Sequence, residues 1–424
     1  MKQAFVKGVQ RILPDYAATM VRGVYRKTQG RLVSARYGNP SKHLRVIVVS
    51  GASGKTTTAC YINEILKEAR FKTALLTTIL TEIDGTRRPC AVPASATTAA
   101  RVQRFFRDAR RANVDYVVLE VPSQALERSL NSVPIEAVVL TNTAQYSQST
   151  TQDTVATEAG LLRLRPRFAV LNRDDACYEQ ADQLTASEQK MTYGTHSEAE
   201  ARIMRVKLYR KGTEADVVLD HQTHLELATH LPGEFNVLNM TAAVTLAYLL
   251  GVKLQDIQEG VANLEAVPGR FERAVEGLGY DVIVDYAHTP DALEKLLATA
   301  RDIARGRVLL VFGVCGDRDQ GKRLIMGEIA ARGADRIFLT DEESYNEDPA
   351  QIRQMLYEGI ERASGAAKTT EIADRRQAIE RALGAAKKGD MVLITGMGHE
   401  QYRIVNGQRL PWNDTEVVRE IAGR

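Results

Sequence analysis

Residues 45–71, RVIVVS-GASGKTTT-ACYINEILKEARF, constrain this chain more than any other segment. A β-branched run passes through two glycines into a stretch whose apolar residues recur at helical spacing, which reads as buried strand, glycine loop and helix. Such a loop turns backbone N–H groups inward and the helix N-terminus adds positive potential, so together they cradle phosphates. Gly51, Ser53 and Gly54 would shape the turn, Lys55 would reach the terminal phosphates, and Thr56 or Thr57 would offer a hydroxyl to Mg2+. The glycines stand two residues closer than in G-x-x-x-x-G-K-[ST], and a purely structural turn is the alternative reading.

Further β-branched runs alternate with helical patterns: TALLTTI (73–79), VDYVVLEV (114–121), EAVVLTN (136–142) and RFAVLN (167–172). Alternation of this kind predicts βαβ units and a parallel sheet. Glu120 ends its strand on the edge where such sheets bind ligands and is the natural second Mg2+ anchor, although an acid there also serves as a helix-cap partner. After Asn172, RIMRVKLYR (202–210) and ADVVLD (215–220) suit an antiparallel excursion, and LPGEFNVLNMTAAVTLAYLLG predicts a turn into a long buried helix. A second alternating series follows Pro268-Gly269, with strands expected in 280–287, 307–316, 335–341 and 390–396. The expected architecture is α/β: a basic leader (1–44), a phosphate-loop central domain with a mostly parallel sheet (45–267) and a Rossmann-like C-terminal α/β domain (268–424).

A length of 424 residues fits such a two-domain body. Four dispersed cysteines form no C-x-x-C pair, no apolar run is long enough for a membrane helix, and no signal peptide opens the chain, which predicts a cytoplasmic protein. The net charge of +3 conceals an asymmetry: residues 1–45 hold ten Lys/Arg against Asp15 alone, leaving −6 for the rest. A basic stretch of +9 over 1–45 suggests contact with an anionic lipid or a pyrophosphate-linked acceptor, or else a solvated helix packed on the body; no nucleic acid is expected.

The wording of many segments resembles the Mur ligases, and among them the UDP-N-acetylmuramoyl-tripeptide synthetase type. VVSGASGKTTT, LEVPSQAL, LTN (140–142), VLNRDD, LPGEFNVLNMTAA, PGRFE (268–272), VIVDYAHTPDALE, VFGVCGDRDQGKRLIMGEIAA, EDPAQI and GDMVLITGMGHEQY occur in family order. The resemblance implies an ATP- and Mg2+-dependent, ADP-forming ligase. It would join a carboxylate to an amine through an acyl phosphate, adding an amino acid to a peptidoglycan-precursor-like acceptor. It further implies Lys55, Glu120 and His288 as catalytic residues and Thr56 and Glu120 as metal ligands. Asn236 and Asn239 would approach the adenine, while Arg270, Asp285 and Tyr286 would line the nucleotide side of the C-terminal domain. Ser123, Asp317, Arg318, Lys322, Asp341, Glu342, His399 and Glu400 would face the substrates. For the charge cluster 317–323 a solvated helix start is the bland alternative.

Departures from the family pattern set further expectations. The N-terminal UDP-binding domain has no counterpart before the phosphate loop. TAQYSQSTTQD (143–153) replaces a D-H-L-D-type segment, and no lysine stands near Glu158, where the family carries a carbamylated one. Pro122 and Gln124 replace Ser and His, DEESYNEDP (341–349) lacks the Asn-Pro-Arg of diaminopimelate recognition, and Met397 stands where Lys is usual. These changes leave two alternatives to the ligase: an ATP-binding regulatory paralogue with weakened catalysis, and a folylpolyglutamate-synthase-like enzyme, against which DYAHTP and GDRDQGKR argue.

Overall fold

The computed structural model describes residues 34–90, 99–121, 130, 133–143, 160–405 and 407–423. Eleven strands form one sheet: β1 (Arg45–Ser50), β2 (Thr73–Leu76), β3 (Leu80–Ile83), β4 (Thr86–Pro89), β5 (Tyr116–Glu120), β6 (Ile135–Leu140), β7 (Phe168–Asn172), β8 (Gln189–Gly194), β9 (Ala201–Tyr209), β10 (Gly212–Leu219) and β11 (Thr223–Thr229). Their order is 11-10-9-8-7-6-1-5-2-3-4. Strands β2, β5, β1, β6, β7 and β8 run parallel, and β9–β11 continue the sheet as an antiparallel extension. The continuous Val/Ile runs are explained by burial on both faces. One face packs on the helices Lys55–Glu68, Glu234–Leu249 and Leu254–Ala262, the other on the helix Ala99–Arg111.

The second sheet has six strands, β12 (Glu272–Val275), β13 (Asp281–Asp285), β14 (Val308–Phe312), β15 (Arg336–Leu339), β16 (Thr369–Glu371) and β17 (Met391–Thr395), in the order 12-13-17-14-15-16. All but β12 are parallel. Its faces are covered by the helices Pro290–Ile303, Gly321–Gly333 and Pro349–Arg362 on one side and by Arg375–Ala385 and Asp414–Ile421 on the other. The last described core residue of the first sheet is Val267 and the first of the second is Phe271.

The antiparallel extension ties the two bodies together. Arg210, in the β9–β10 turn, donates through Nε and Nη2 to Asp281 at 2.5 and 2.7 Å, and Arg273 pairs with the same carboxylate. Leu208 and Phe235 pack against the core of the second sheet. At the other end, residues 34–44 do not stand away from the body: Leu44 enters the core beneath the helix Ala99–Arg111, and Arg107 lies over the Tyr37 ring at 5.6 Å.

Candidate active site

The turn after β1 is shaped by two glycines at positive φ, Gly51 (136°) and Gly54 (78°). A Cβ on Gly54 would overlap Asn239 Oδ1 and sit 3.0 Å from its Cγ. Asn239 therefore abuts the phosphate loop, and its Nδ2 donates to Asn236 Oδ1 at 3.3 Å, while Asn236 Nδ2 donates to Pro232 O at 2.8 Å. On the opposite side the strand β6 latches the loop. Ser53 N–H donates to Asn142 Oδ1 at 2.8 Å, Asn142 Nδ2 donates to Ser53 Oγ at 2.9 Å, and Thr141 Oγ1 donates to Ser53 O at 2.6 Å. Lys55 bends back so that Nζ donates to Gly51 O and Ala52 O at 2.8 and 3.0 Å. Thr57 is buried beside it in the first helical turn.

Thr56 Oγ1 donates to Glu120 Oε2 at 2.9 Å, and the Thr78 amide donates to the same oxygen at 2.9 Å. Glu120 is 4% exposed and makes no ion pair among the described residues. A buried carboxylate beside a hydroxyl is an all-oxygen donor pair suited to a hard divalent cation such as Mg2+. No cluster of three or more His, Cys, Asp or Glu able to hold a metal occurs among the described residues, so phosphate and water oxygens would have to complete a coordination shell around this pair.

Three loops of the second body converge on one cluster. A Cβ on Gly269 would overlap the backbone at Gly398-His399, and the Tyr286 amide donates to Gly269 O at 2.9 Å. Asp285, at the end of β13, accepts from the Phe271 and Ala287 amides at 2.6 and 2.8 Å, which fixes Phe271 at the left-handed φ of 47°. Arg270 lies 4.5 Å over the Tyr286 ring, which in turn lies 4.6 Å from His288 and 5.0 Å from His399. His288 Nδ1 pairs with Tyr286 O at 2.8 Å, and Lys322 Nζ donates to His288 O at 2.9 Å. Burial, with the positive fields of Lys322, Arg270 and Lys55, lowers the His288 pKa to about 4; burial and Arg270 lower that of His399 to about 3. Both rings are thus neutral at pH 7. The field of Lys55 reaches His288, so the phosphate loop lies within electrostatic range of this cluster.

Beyond it lies an acidic wall. Burial pushes Glu342 up to about 7 against the opposing pull of Arg375 and Lys322, and burial beside Glu343 pushes Glu400 up to about 7. Glu342 Oε2 is buried without a hydrogen-bond partner and would be struck by any side chain on Gly396. Neighbouring Asp341 points elsewhere, paired with Arg353 from the helix Pro349–Arg362. Asp317 is tied to the loop after β15 by Asn346, whose Nδ2 donates to Asp317 Oδ2 at 2.6 Å, and Arg318 lies over the Tyr345 ring of that loop at 5.4 Å.

Family models for the Mur ligase middle domain and the Mur ligase glutamate ligase domain match residues 49–247 and 269–398. A UDP-N-acetylmuramoyl-L-alanyl-D-glutamate--2,6-diaminopimelate ligase of Clostridium botulinum is 33% identical over 403 residues, 93% of this chain and 81% of that protein. The enzyme of the same name from Geobacillus thermodenitrificans is 36% identical over 93% of this chain and 82% of its own. The chain belongs to the Mur ligase family. A solved UDP-N-acetylmuramoyl-L-alanyl-D-glutamate--2,6-diaminopimelate ligase superposes with a TM-score of 0.62 at 31% identity, over 90% of this chain and 78% of that one. Mycobacterium tuberculosis folylpolyglutamate synthase, at 17% identity, a TM-score of 0.73 and 94% and 95% coverage, shares the fold.

Within this Mur ligase, then, the expected residues fall into two facing groups, with Asp317 and Asp341 held in pairs of their own. Ser123, Pro122, Gln124, residues 144–153, Glu158 and the first 33 residues of the basic leader lie outside the described residues. Three loop-holding residues carried no assigned role in the sequence reading: Thr78, Thr141 and Asn142. The first lay hidden in TALLTTI, of which only Thr73–Leu76 is strand; for the others the LTN wording was the available signal.

Proposed function

We propose that this Mur ligase uses ATP to form an amide bond between a peptidoglycan-precursor-like carboxylate and an amino acid, in the manner of the tripeptide synthetases. The observation that carries the reading is the phosphate loop, with its Thr56–Glu120 pair, set opposite the Arg270–Tyr286–His288–Lys322 cluster. On this reading Gly51, Ser53, Gly54, Lys55, Thr56 and Thr57 hold the phosphates of ATP, and Asn236 and Asn239 support the loop from behind. Thr56 and Glu120 would hold Mg2+, which when bound neutralises charge on the transferring phosphoryl group.

The acceptor carboxylate attacks the γ-phosphorus, ADP leaves, and the amine then displaces phosphate from the acyl carbon. Lys55 and Lys322 supply fixed positive charge to this exchange, and neutral His288 and His399 orient groups by hydrogen bonding without adding a charge. Arg270 and Tyr286 form a flat cationic shelf from the C-terminal side, with Asp285 holding its backbone. Arg318, Glu342 and Glu400 face the amine, and the body divides near residue 267. ATP use places the reaction in the cytoplasm.

The test is release of ADP and phosphate that requires both a UDP-muramoyl-peptide acceptor and an amino acid. Acceptor-independent hydrolysis alone, or nucleotide binding without turnover across an acceptor panel, would return the reading to the regulatory paralogue, which the family comparisons do not favour.

A further inference from the structure

The helix Ala99–Arg111 separates its chemistry by face. Val102, Phe105, Phe106 and Ala109 are buried in the core. Arg104, Arg110 and Arg111 are exposed and make no ion pair among the described residues, while Arg107 pairs with adjacent Asp108. Residues 34–44 pack alongside, pinned by Leu44 and by Tyr37 beneath Arg107, and bring Arg36 and Lys42 to the same surface, both exposed. Residues 34–45 and 99–112 together hold eight Lys/Arg against one acid, Asp108. Arginines at i, i+3 and i+4 spacing repel one another along a helix, and a facing anion removes that penalty.

The position of this face decides what the anion can be. Arg45 opens β1 and Arg110 and Arg111 lie just before β5, so most of the charge gathers where the parallel strands begin, with Arg104 about 10 Å further along the helix, whereas the phosphate loop lies where the strands end. A strand of six residues is about 20 Å long, too far for a substrate phosphate seated among these arginines to reach the acyl carbon. The exposed groups are cations standing on a helix whose apolar side is fully used by the core, so contact is with headgroups and without insertion. Residues 1–33 hold seven more Lys/Arg against Asp15.

We propose that Arg36, Lys42, Arg104, Arg107, Arg110 and Arg111 form a cationic face that docks this ligase on an anionic phospholipid bilayer, its catalytic edge turned toward the cytosol. The test is co-sedimentation of the full chain with vesicles of phosphatidylcholine alone or mixed with phosphatidylglycerol. Binding is expected only to the anionic vesicles and is expected to fall steeply as salt rises from ~0.05 to ~0.5 M. The variant R104Q/R110Q/R111Q should lose roughly a hundredfold in vesicle affinity while ADP release on soluble substrates is unchanged. If the triple variant does not fold, R104Q and R111Q singly, each expected to cost about fivefold, carry the test. Wild-type protein that ignores anionic vesicles or binds both kinds equally, or arginine variants that bind like wild type, would overturn the proposal. So would tighter binding to an unstructured RNA at the same salt, which would make nucleic acid the occupant.

Discussion

The contact between Gly54 and Asn239 can be tested by the substitution Gly54→Ala. Gly54 has φ of 78°, where a non-glycine residue costs about 1–2 kcal/mol. The new Cβ would also overlap Asn239 Oδ1 and lie 3.0 Å from Asn239 Cγ, and forcing buried groups apart costs about 1–3 kcal/mol. Binding ATP requires the formed loop, so the sum of roughly 2–5 kcal/mol should weaken nucleotide affinity from about 30-fold to several thousandfold. Asn239→Ala alone removes one amide hydrogen bond, to Asn236, a net loss of about 1 kcal/mol or fivefold. In the double variant the overlap has no partner and only the backbone cost and the lost hydrogen bond remain. A fluorescent-nucleotide titration of all four proteins should therefore show the double variant binding better than the additive expectation by about 1–3 kcal/mol. Additivity within about 0.5 kcal/mol, or a Gly54→Ala protein with near-normal affinity, would refute the packing argument.

Glu120→Gln keeps the shape of the carboxylate but removes its charge, and kcat should fall by about 10²-fold or more while Mg2+-free nucleotide binding is retained; equal turnover would remove Glu120 from the metal site. Asn142→Ala unlatches Ser53 and should weaken ATP about tenfold, measured by calorimetry. Asp414→Ala strands Arg375, which is fully buried and bonded to both Asp414 oxygens, and should destabilise the C-terminal body by about 3–5 kcal/mol in thermal unfolding; a loss below about 1 kcal/mol contradicts the role assigned to the pair. Glu342 binds its proton more tightly folded than unfolded, so between its ordinary value of 4.5 and its folded value of about 7 its contribution to stability is lost as pH rises. Glu342→Gln should flatten that part of a Tm-against-pH curve, and an unchanged slope would remove the buried carboxyl as its source.

Much of this arrangement was legible because it is local. The pairing of Thr56 with Glu120 follows from a loop and a strand end on adjacent parallel strands, and the buried runs announce β1, β5, β6 and β7 within a residue or two at most ends. The antiparallel extension over 202–220 was likewise readable from alternation. What could not be read depends on register and packing. Asn142 reaches Ser53 because β6 pairs with β1 so that Ser50 faces Leu140. Asn239 was expected beside the adenine, yet its present contact is with Gly54, set by how one buried helix crosses another. Asp341 and Glu342 are adjacent in sequence but diverge at the end of β15, one to Arg353 and one toward Gly396, which no spacing rule foretells. The cationic face joins segments more than fifty residues apart, so it is visible only once they are folded together.

Asp281 and Asp285 are the two ends of one strand, and they do opposite things. The first is gripped by Arg210 of the other body, and the second carries the backbone that presents Tyr286 and His288. Four residue steps of strand separate them, about 13 Å. Because β12 and β17 flank the strand, it turns only with its whole body, and a rotation of that body by about 15° about the Arg210 contact would carry the His288 end through roughly 3.5 Å, the difference between a formed and a broken hydrogen bond. A change at the β9–β10 turn, remote from any reacting atom, would thereby alter the aim of the second body at the phosphate loop.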